Sequence, residues 1–183
     1  NGGTLNITGP GLTIADGPGT DIQVNGTVIV EGGTLTGGGT MFIDLDGIVN
    51  LGNNSSNGAT LSLTLDNNGT INFENSDVAC CTNIDYFVSG IWTNNRTINF
   101  NFHDGIGEVN ISGLDVFNSS DGTINHNFDA TGASTKITHF GFSSFVNEGT
   151  FNNISGNAYV DLSLGSTFNG TFYAGSSTTT TFT

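Results

Sequence analysis

Apolar and polar residues alternate over short stretches of this chain, and one such stretch returns throughout its 183 residues. It is a hexapeptide with two turn-forming residues followed by four residues that alternate between polar and apolar. Its eight copies begin 21 to 27 residues apart: GGTLNI from Gly2, NGTVIV from Asn25, DGIVNL from Asp46, NGTINF from Asn68, NRTINF from Asn95, DGTINH from Asp121, EGTFNN from Glu148 and NGTFYA from Asn169. Recurrence at this spacing along the whole chain is typical of a solenoid.

The positions of the hexapeptide have separate physical roles. The first two are mostly Asn or Asp followed by Gly, which predicts a tight turn because glycine adopts positive φ without a steric penalty. The fourth position is apolar in every copy and the sixth in most, whereas the third is usually Thr and the fifth usually Asn. This period-two alternation predicts a strand with one face inside and one outside. Ile71, Ile98 and Ile124 are therefore expected to lie above one another.

Further alternating runs, such as MFIDLD from Met41 and LSLTLD from Leu61, complete each repeat, and no helical periodicity is evident. We therefore predict an all-β fold, a single-domain parallel β-helix (β-solenoid) of about eight irregular coils of 21–27 residues. Residues 1–175 form the solenoid, and residues 176–183 form a Thr-rich C-terminal strand or tail that could lie between subunits. An antiparallel β-sandwich is the structural alternative, because it also has many short strands with Gly turns, but it gives no reason for the recurrence.

The repeated turn-Thr-apolar-Asn-apolar pattern resembles the irregular coils of secreted right-handed β-helix proteins. These include adhesin and haemagglutinin-type passengers, polysaccharide lyases and viral tailspikes. The resemblance covers the whole chain and is one of pattern and composition. It implies the architecture and assigns no site residue.

Charge narrows the range of partners. Sixteen acidic residues stand against two basic ones, Arg96 and Lys136, for a net charge of -14. Nucleic acid is excluded, because its phosphates are bound by clustered Lys and Arg, and binding to anionic membranes is disfavoured. No apolar window of about 18 residues is present, so membrane insertion is not expected. The chain begins at Asn1 without a leader, and we expect a mature secreted product or an excised fragment, located outside the cell or at its surface.

Catalytic chemistry is not indicated, and we expect no enzyme and no catalytic residue. Asp44 and Asp46 share a strand face, but a glycosidase needs two carboxylates at a defined separation, and a turn or solvated role is favoured for both. His103, His126 and His139 follow no nucleophile-elbow motif. His126 occupies the sixth, inward position of its hexapeptide, which predicts a core histidine whose hydrogen bonds are satisfied.

A cation site is the one cofactor prediction, and no other cofactor is required. Asp44 and Asp66 are 22 residues apart, each two positions before a turn that starts at Asp46 or Asn68. Stacked coils would bring these carboxylates together, and like charges at short distance recruit a cation such as Ca²⁺. Asp44, Asp66 and Asp46 are therefore the predicted metal ligands.

Cys80 and Cys81 are adjacent, which is neither a zinc nor a redox spacing. In an oxidising exterior they could form a vicinal disulfide or link two chains. The alternative is two thiols that point to opposite sides of a strand.

Asn residues offer covalent attachment points for glycans. Four sequons, at Asn25, Asn68, Asn95 and Asn169, fall on the turn position and are expected to be exposed. The others begin at Asn6, Asn53, Asn54, Asn110, Asn118 and Asn153. The alternative is that Asn serves only as a turn and ladder residue. Stacked side-chain ladders likewise explain the outward Thr and Asn array better than ice binding does.

The two ends of the solenoid suggest its function. A solenoid exposes unpaired strand edges at both ends unless they are capped, and no cap is evident in this sequence. Head-to-tail pairing of such edges would propagate as a filament. We expect a homopolymeric subunit of an extracellular filament or surface layer. A carbohydrate- or surface-binding adhesin module is the alternative, and a polysaccharide-active β-helix enzyme ranks last. The predicted assembly residues are Gly2, Gly3, Thr4, Phe172, Thr181 and Phe182.

Overall fold

The protein is a parallel β-solenoid, as predicted. The computed structural model describes residues 3–8, 13–16, 21–52, 59–75, 83–102, 108–128, 137–163, 165–175 and 178–183. Within these ranges there is no helix, and all the paired strands run parallel to one another. The antiparallel sandwich is therefore wrong, because each hexapeptide strand pairs with the preceding copy and not with its sequence neighbour.

The first sheet contains one strand from each hexapeptide, stacked in chain order. Matching positions are in register at every step, so that Thr97 faces Thr70 and Thr123. The strands are β1 (Thr4–Thr8), β4 (Thr27–Glu31), β6 (Ile48–Leu51), β8 (Thr70–Asn75), β11 (Thr97–Phe102), β13 (Thr123–Phe128), β15 (Thr150–Ser155) and β18 (Thr171–Ala174).

The second sheet contains the remaining strands. It bends halfway along the strand direction, which divides it into two sides. One strand of it, Glu108–Asn118, pairs with two shorter strands in succession, and its register shifts beside Gly113, which has a φ of 83°. Each turn of the solenoid thus has three straight sides. The strands are β2 (Thr13–Asp16), β3 (Ile22–Val24), β5 (Thr34–Ile43), β7 (Thr60–Asn67), β9 (Asn83–Ser89), β10 (Ile91–Asn94), β12 (Glu108–Asn118), β14 (Ile137–Asn147), β16 (Asn157–Leu162), β17 (Thr167–Phe168) and β19 (Thr179–Phe182).

The number of coils is about six, fewer than the eight predicted. Eight copies of the hexapeptide enclose only seven intervals, and the last copy is followed by one short strand of the second sheet, so the count of copies overstates the count of complete turns.

The core consists of inward columns that run along the stack. Ile71, Ile98 and Ile124 are buried and face one another on successive rungs, which confirms the predicted column. In the sixth-position column Phe73 stacks on Phe100 with ring centroids 4.6 Å apart. Burial of each such side chain stabilises the fold by about 1.5–3 kcal/mol.

The turn glycines differ from the prediction in their physical role. Gly69 does not have positive φ, but an added Cβ there would overlap the carbonyl oxygens of Asp44 and Gly47 in the turn below. Close approach of the stacked turns therefore selects glycine at this position.

The fifth-position asparagines form the predicted outward ladder. Each side-chain amide donates to the carbonyl oxygen of the asparagine one rung below, at 2.8 to 2.9 Å. The ladder runs through Asn50, Asn72, Asn99, Asn125 and Asn152. It satisfies half-buried amides on the first sheet and fixes the rung spacing.

Candidate functional site

Three phenylalanines from three sides of the solenoid meet at its C-terminal end. Phe168 of β17, Phe172 of β18 and Phe182 of β19 have ring centroids 5.6 to 6.2 Å apart. Together with Leu162 they line an open depression of about 320 Å³. Phe182 is 44% exposed, although it continues an inward column. We call these four residues the C-terminal apolar cluster.

The Thr-rich segment belongs to the same stack. Thr179–Phe182 pairs in parallel with β16, with Thr181 opposite Tyr159 and Phe182 opposite Val160. One edge of this strand is therefore occupied by its own chain. The other edge is the outermost of the second sheet, and contact there with another subunit stays a prediction.

At the N-terminal end, Gly3, Thr4 and Leu5 are exposed, and Gly2 lies outside the described residues. Leu5 is 46% exposed although it holds the fourth, inward position. Thr4 and Leu5 line a depression of about 420 Å³ together with Ile22 and Val24. The two predicted assembly regions thus lie at the two ends of the apolar core formed by the described residues.

Several predicted glycosylation sites are accessible. Asn25, Asn68 and Asn169 on the turns are exposed, as is Asn6. The other turn residue, Asn95, is half-buried.

The half-buried sequon residues bond to carboxylates. Asn95 donates to Asp66 at 2.9 Å, and Asn110 donates to Asp85 at 2.9 Å. Their side-chain amides are partly engaged in the folded chain.

Two of the predicted glycosylation sites lie inside the folded chain. Asn118 and Asn153 are buried in the core. The Asn118 side chain donates to Asn147 Oδ1 at 2.6 Å, and that of Asn153 donates to Thr180 Oγ1 at 2.7 Å. The sequon pattern reports only local sequence, and it cannot tell an inward asparagine from an outward one.

A second asparagine ladder, not anticipated from the sequence, lies inside the solenoid. Asn67, Asn94, Asn118 and Asn147 are buried on successive rungs, and each Nδ2 donates to the next Oδ1 at 2.6 to 2.7 Å. The same amides also bond backbone carbonyls of the adjoining turns. The ladder lies where strands of the second sheet end, and it bonds them to the turns that lead into the strands of the first sheet.

His126 is a core residue, as expected. Its Nδ1 lies 2.8 Å from Asn153 Oδ1 and its Nε2 lies 2.8 Å from Thr138 Oγ1. Burial lowers the pKa of His126 to about 4, and the hydrogen bond with Asn153 opposes this shift. The imidazole is therefore neutral at pH 7.

Asp44 and Asp66 are not at matching positions on successive rungs, contrary to the prediction. The residue in register with Asp66 is Phe42, not Asp44, because four residues separate Ile43 from Ile48 while two separate Asn67 from Thr70. Asp44 instead accepts a hydrogen bond from Gln23, and Asp46 is exposed. No group of three or more His, Cys, Asp or Glu side chains is gathered within the described ranges.

Cys80 and Cys81 lie outside the described residues, as do Asn53, Asn54 and His103. Their predicted roles remain sequence-based.

An exposed polar-aromatic patch lies on the second sheet. His139 and Tyr159 stack on adjacent rungs with ring centroids 5.2 Å apart and an interplanar angle of 19°. Glu108 Oε1 lies 3.5 Å from His139 Nε2. This arrangement offers a flat ring surface beside a carboxylate.

Comparison with known protein families, curated proteins and solved structures finds no match to this chain. In the part of the chain that the structure describes, no helix is long and apolar enough to cross a membrane.

Proposed function

We propose that this chain is a secreted structural subunit whose solenoids stack end to end into an extracellular filament or surface layer. The observation that supports it best is the C-terminal apolar cluster. Its rings complete the inward columns of three sides, yet no described strand covers them. A strand edge beside exposed apolar side chains is a template for pairing with another chain.

The distribution of charge also supports this proposal. All charged side chains fall between residues 16 and 161, so residues 1–15 and 162–183 carry none. A net charge of -14 opposes association of two copies through the middle of the rod. The first-sheet strands at the two ends, Thr4–Thr8 and Thr171–Ala174, carry no charged side chain.

Self-association can be tested with a matched pair of variants. Phe182 and Phe87 are both exposed, but Phe87 lies on a strand in the middle of the stack. We expect the wild-type sedimentation coefficient to rise with concentration, and electron micrographs to show filaments with an axial repeat of roughly 40 Å, from eight rungs at about 4.8 Å each. Phe182→Asp should abolish this association, whereas Phe87→Asp should preserve it.

Two results would contradict the proposal. A wild-type protein that stays monomeric at all concentrations would remove the basis for end-to-end assembly. Loss of association only in Phe87→Asp would place the contact on the lateral surface.

A carbohydrate-binding adhesin module is the alternative function, and the patch around His139 and Tyr159 favours it. Aromatic rings with a polar neighbour suit the apolar faces and hydroxyls of sugars. The test is glycan binding by the wild type and by Tyr159→Ala, with Tyr173→Ala as the control for an exposed tyrosine outside the patch. Binding that only Tyr159→Ala abolishes would support this function.

A further inference from the structure

Within the chain, every step along the first sheet uses the same hydrogen bond. The backbone N–H at the third hexapeptide position donates to the carbonyl oxygen at the second position one rung below, at 2.6 to 3.3 Å. The bonds are Thr27 to Gly3, Ile48 to Gly26, Thr70 to Gly47, Thr97 to Gly69, Thr123 to Arg96, Thr150 to Gly122 and Thr171 to Gly149. The register is therefore constant, although the length of each repeat varies.

The two outer strands, β1 and β18, retain complementary halves of this bond. Because they are the end strands of the sheet, the Thr4 N–H lies on one outer edge and the Gly170 carbonyl on the other. In the side-chain columns, Phe151 stacks on Phe172 with centroids 5.8 Å apart, and Leu5 holds the matching position on β1. Leu5 is thus the residue that the column would place next to Phe172.

We infer that the solenoids join head to tail in this same register, with β1 of a second copy lying on β18. In this junction Thr4 N–H donates to Gly170 C=O of the neighbouring copy, Thr4 faces Thr171, and Leu5 covers Phe172. The inference rests on the proposed end-to-end assembly and adds its direction and register. We place the junction on the first sheet. On the side that begins with β3, the last described strand is β17, and no described strand follows it on the rung of β18 and β19.

Disulfide trapping tests both direction and register. In a Cys80→Ser, Cys81→Ser background, Thr4→Cys combined with Thr171→Cys places thiols on facing residues about 4.8 Å apart across the junction, within the range for a disulfide. Within one chain the same residues are seven rungs, roughly 34 Å, apart and cannot cross-link. Mild oxidation should yield a ladder of multimers on a non-reducing gel.

Two control variants are matched to this one. Thr4→Cys with Tyr173→Cys shifts one thiol by two residues, to roughly 7–8 Å, and should cross-link at least about tenfold less. Thr171→Cys alone should remain monomeric. If the shifted pair cross-links better, or if Thr171→Cys alone gives dimers, the inferred junction is wrong while end-to-end association stands.

Backbone amide exchange of the unmodified protein provides a second measurement that needs no substitution. Residues alternate in the edge to which they direct their N–H groups, so Thr4 and Asn6 on β1, and Phe172 and Ala174 on β18, direct theirs to the outer edges. These amides should exchange at least about tenfold more slowly at concentrations at which the protein associates. Association with protection at β18 alone would indicate a tail-to-tail dimer and overturn the inference. Absence of association would overturn the proposed function as well.

Discussion

The His126 imidazole and the Asn153 amide occupy one inward column on successive rungs and form a hydrogen bond of 2.8 Å inside the core. Asn153 Oδ1 can only accept, so the Nδ1 of the neutral ring carries the proton and Nε2 accepts from the Thr138 hydroxyl. The imidazole thereby links the two sheets where the sixth-position column changes from aromatic to polar.

This arrangement predicts that the fold weakens in acid. The pKa of His126 falls from 6.5 to about 4 on folding, so between these values the unfolded chain binds a proton that the folded chain does not. Well above pH 6.5, His126 is neutral in both states and its titration does not reduce the free energy of unfolding. As the pH falls below 6.5, the free energy of unfolding decreases, by about 3 kcal/mol at pH 4. Urea unfolding at a series of pH values measures this loss.

Two variants separate His126 from the other titrating groups. His126→Asn should lower stability at pH 7 but show a smaller decrease between pH 7 and pH 4 than the wild type. His139→Gln changes an exposed histidine and should retain the full decrease. An unchanged acid response in His126→Asn would assign the effect to the carboxylates.

The buried asparagine ladder should contribute much more to stability than the outward one. Asn94→Ala removes the donor to Asn118 Oδ1 and leaves Asn67 Nδ2 with only the Thr97 carbonyl, in a site that water does not reach. We expect a loss of about 3 kcal/mol in the free energy of unfolding, since each stranded group costs about 1–3 kcal/mol.

Asn99→Ala is the matched control, because Asn99 occupies the outward ladder and is only half-buried. Water can replace its lost bonds, and the expected cost is at most about 1 kcal/mol. Equal losses for the two variants, measured by urea denaturation, would show that burial does not distinguish the ladders.

The hexapeptide register was predictable from the sequence because it depends on residues close together in the chain. Ile71, Ile98 and Ile124 follow one another because the same turn precedes each of them. The error at Asp44 and Asp66 arose from the same reasoning, since counting back from the next turn ignores a turn that is two residues longer. The register across a turn depends on how the chain packs, and the number of residues between two positions does not determine it.

The buried ladder has a weak pattern in the sequence, but the pattern resembles a turn. Asn67, Asn94 and Asn147 each stand three residues before the third-position Thr of the next hexapeptide. In Asn67-Asn68 and Asn94-Asn95 the first residue resembles part of the turn. It is in fact the buried last residue of a second-sheet strand. Asn118 lies five residues before Thr123, and that irregularity hides the column.

Gly52 is expected to tolerate no side chain. Its φ is 76°, and an added Cβ would overlap the ring and hydroxyl of Tyr86, a buried residue that donates to the Glu74 carbonyl at 3.2 Å. Gly52→Ala should therefore destabilise the protein by roughly 3 kcal/mol or more, from left-handed backbone strain of about 1–2 kcal/mol together with overpacking.

Gly165→Ala isolates the backbone contribution. Gly165 has a φ of 100° but no atom within 4 Å of an added Cβ. It should cost only about 1–2 kcal/mol. Thermal unfolding ranks the two variants, and an equal cost would mean that Tyr86 moves aside without loss.

Glycan occupancy in protein from its natural source should follow burial rather than the sequon pattern. Asn25, Asn68 and Asn169 are exposed on turns, so a glycan there projects into solvent. Asn118 and Asn153 have equally valid sequons but buried amides, and a glycan on either would break the hydrogen bonds that hold successive rungs.

Enzymatic deglycosylation in heavy-oxygen water followed by peptide mass mapping reads each site in the same sample. We expect label at one or more turn sites and none at Asn118 or Asn153. Substantial occupancy at Asn118 in folded protein would contradict the buried ladder, because a side chain with no exposed surface cannot carry a sugar without leaving its position beside Asn147 Oδ1.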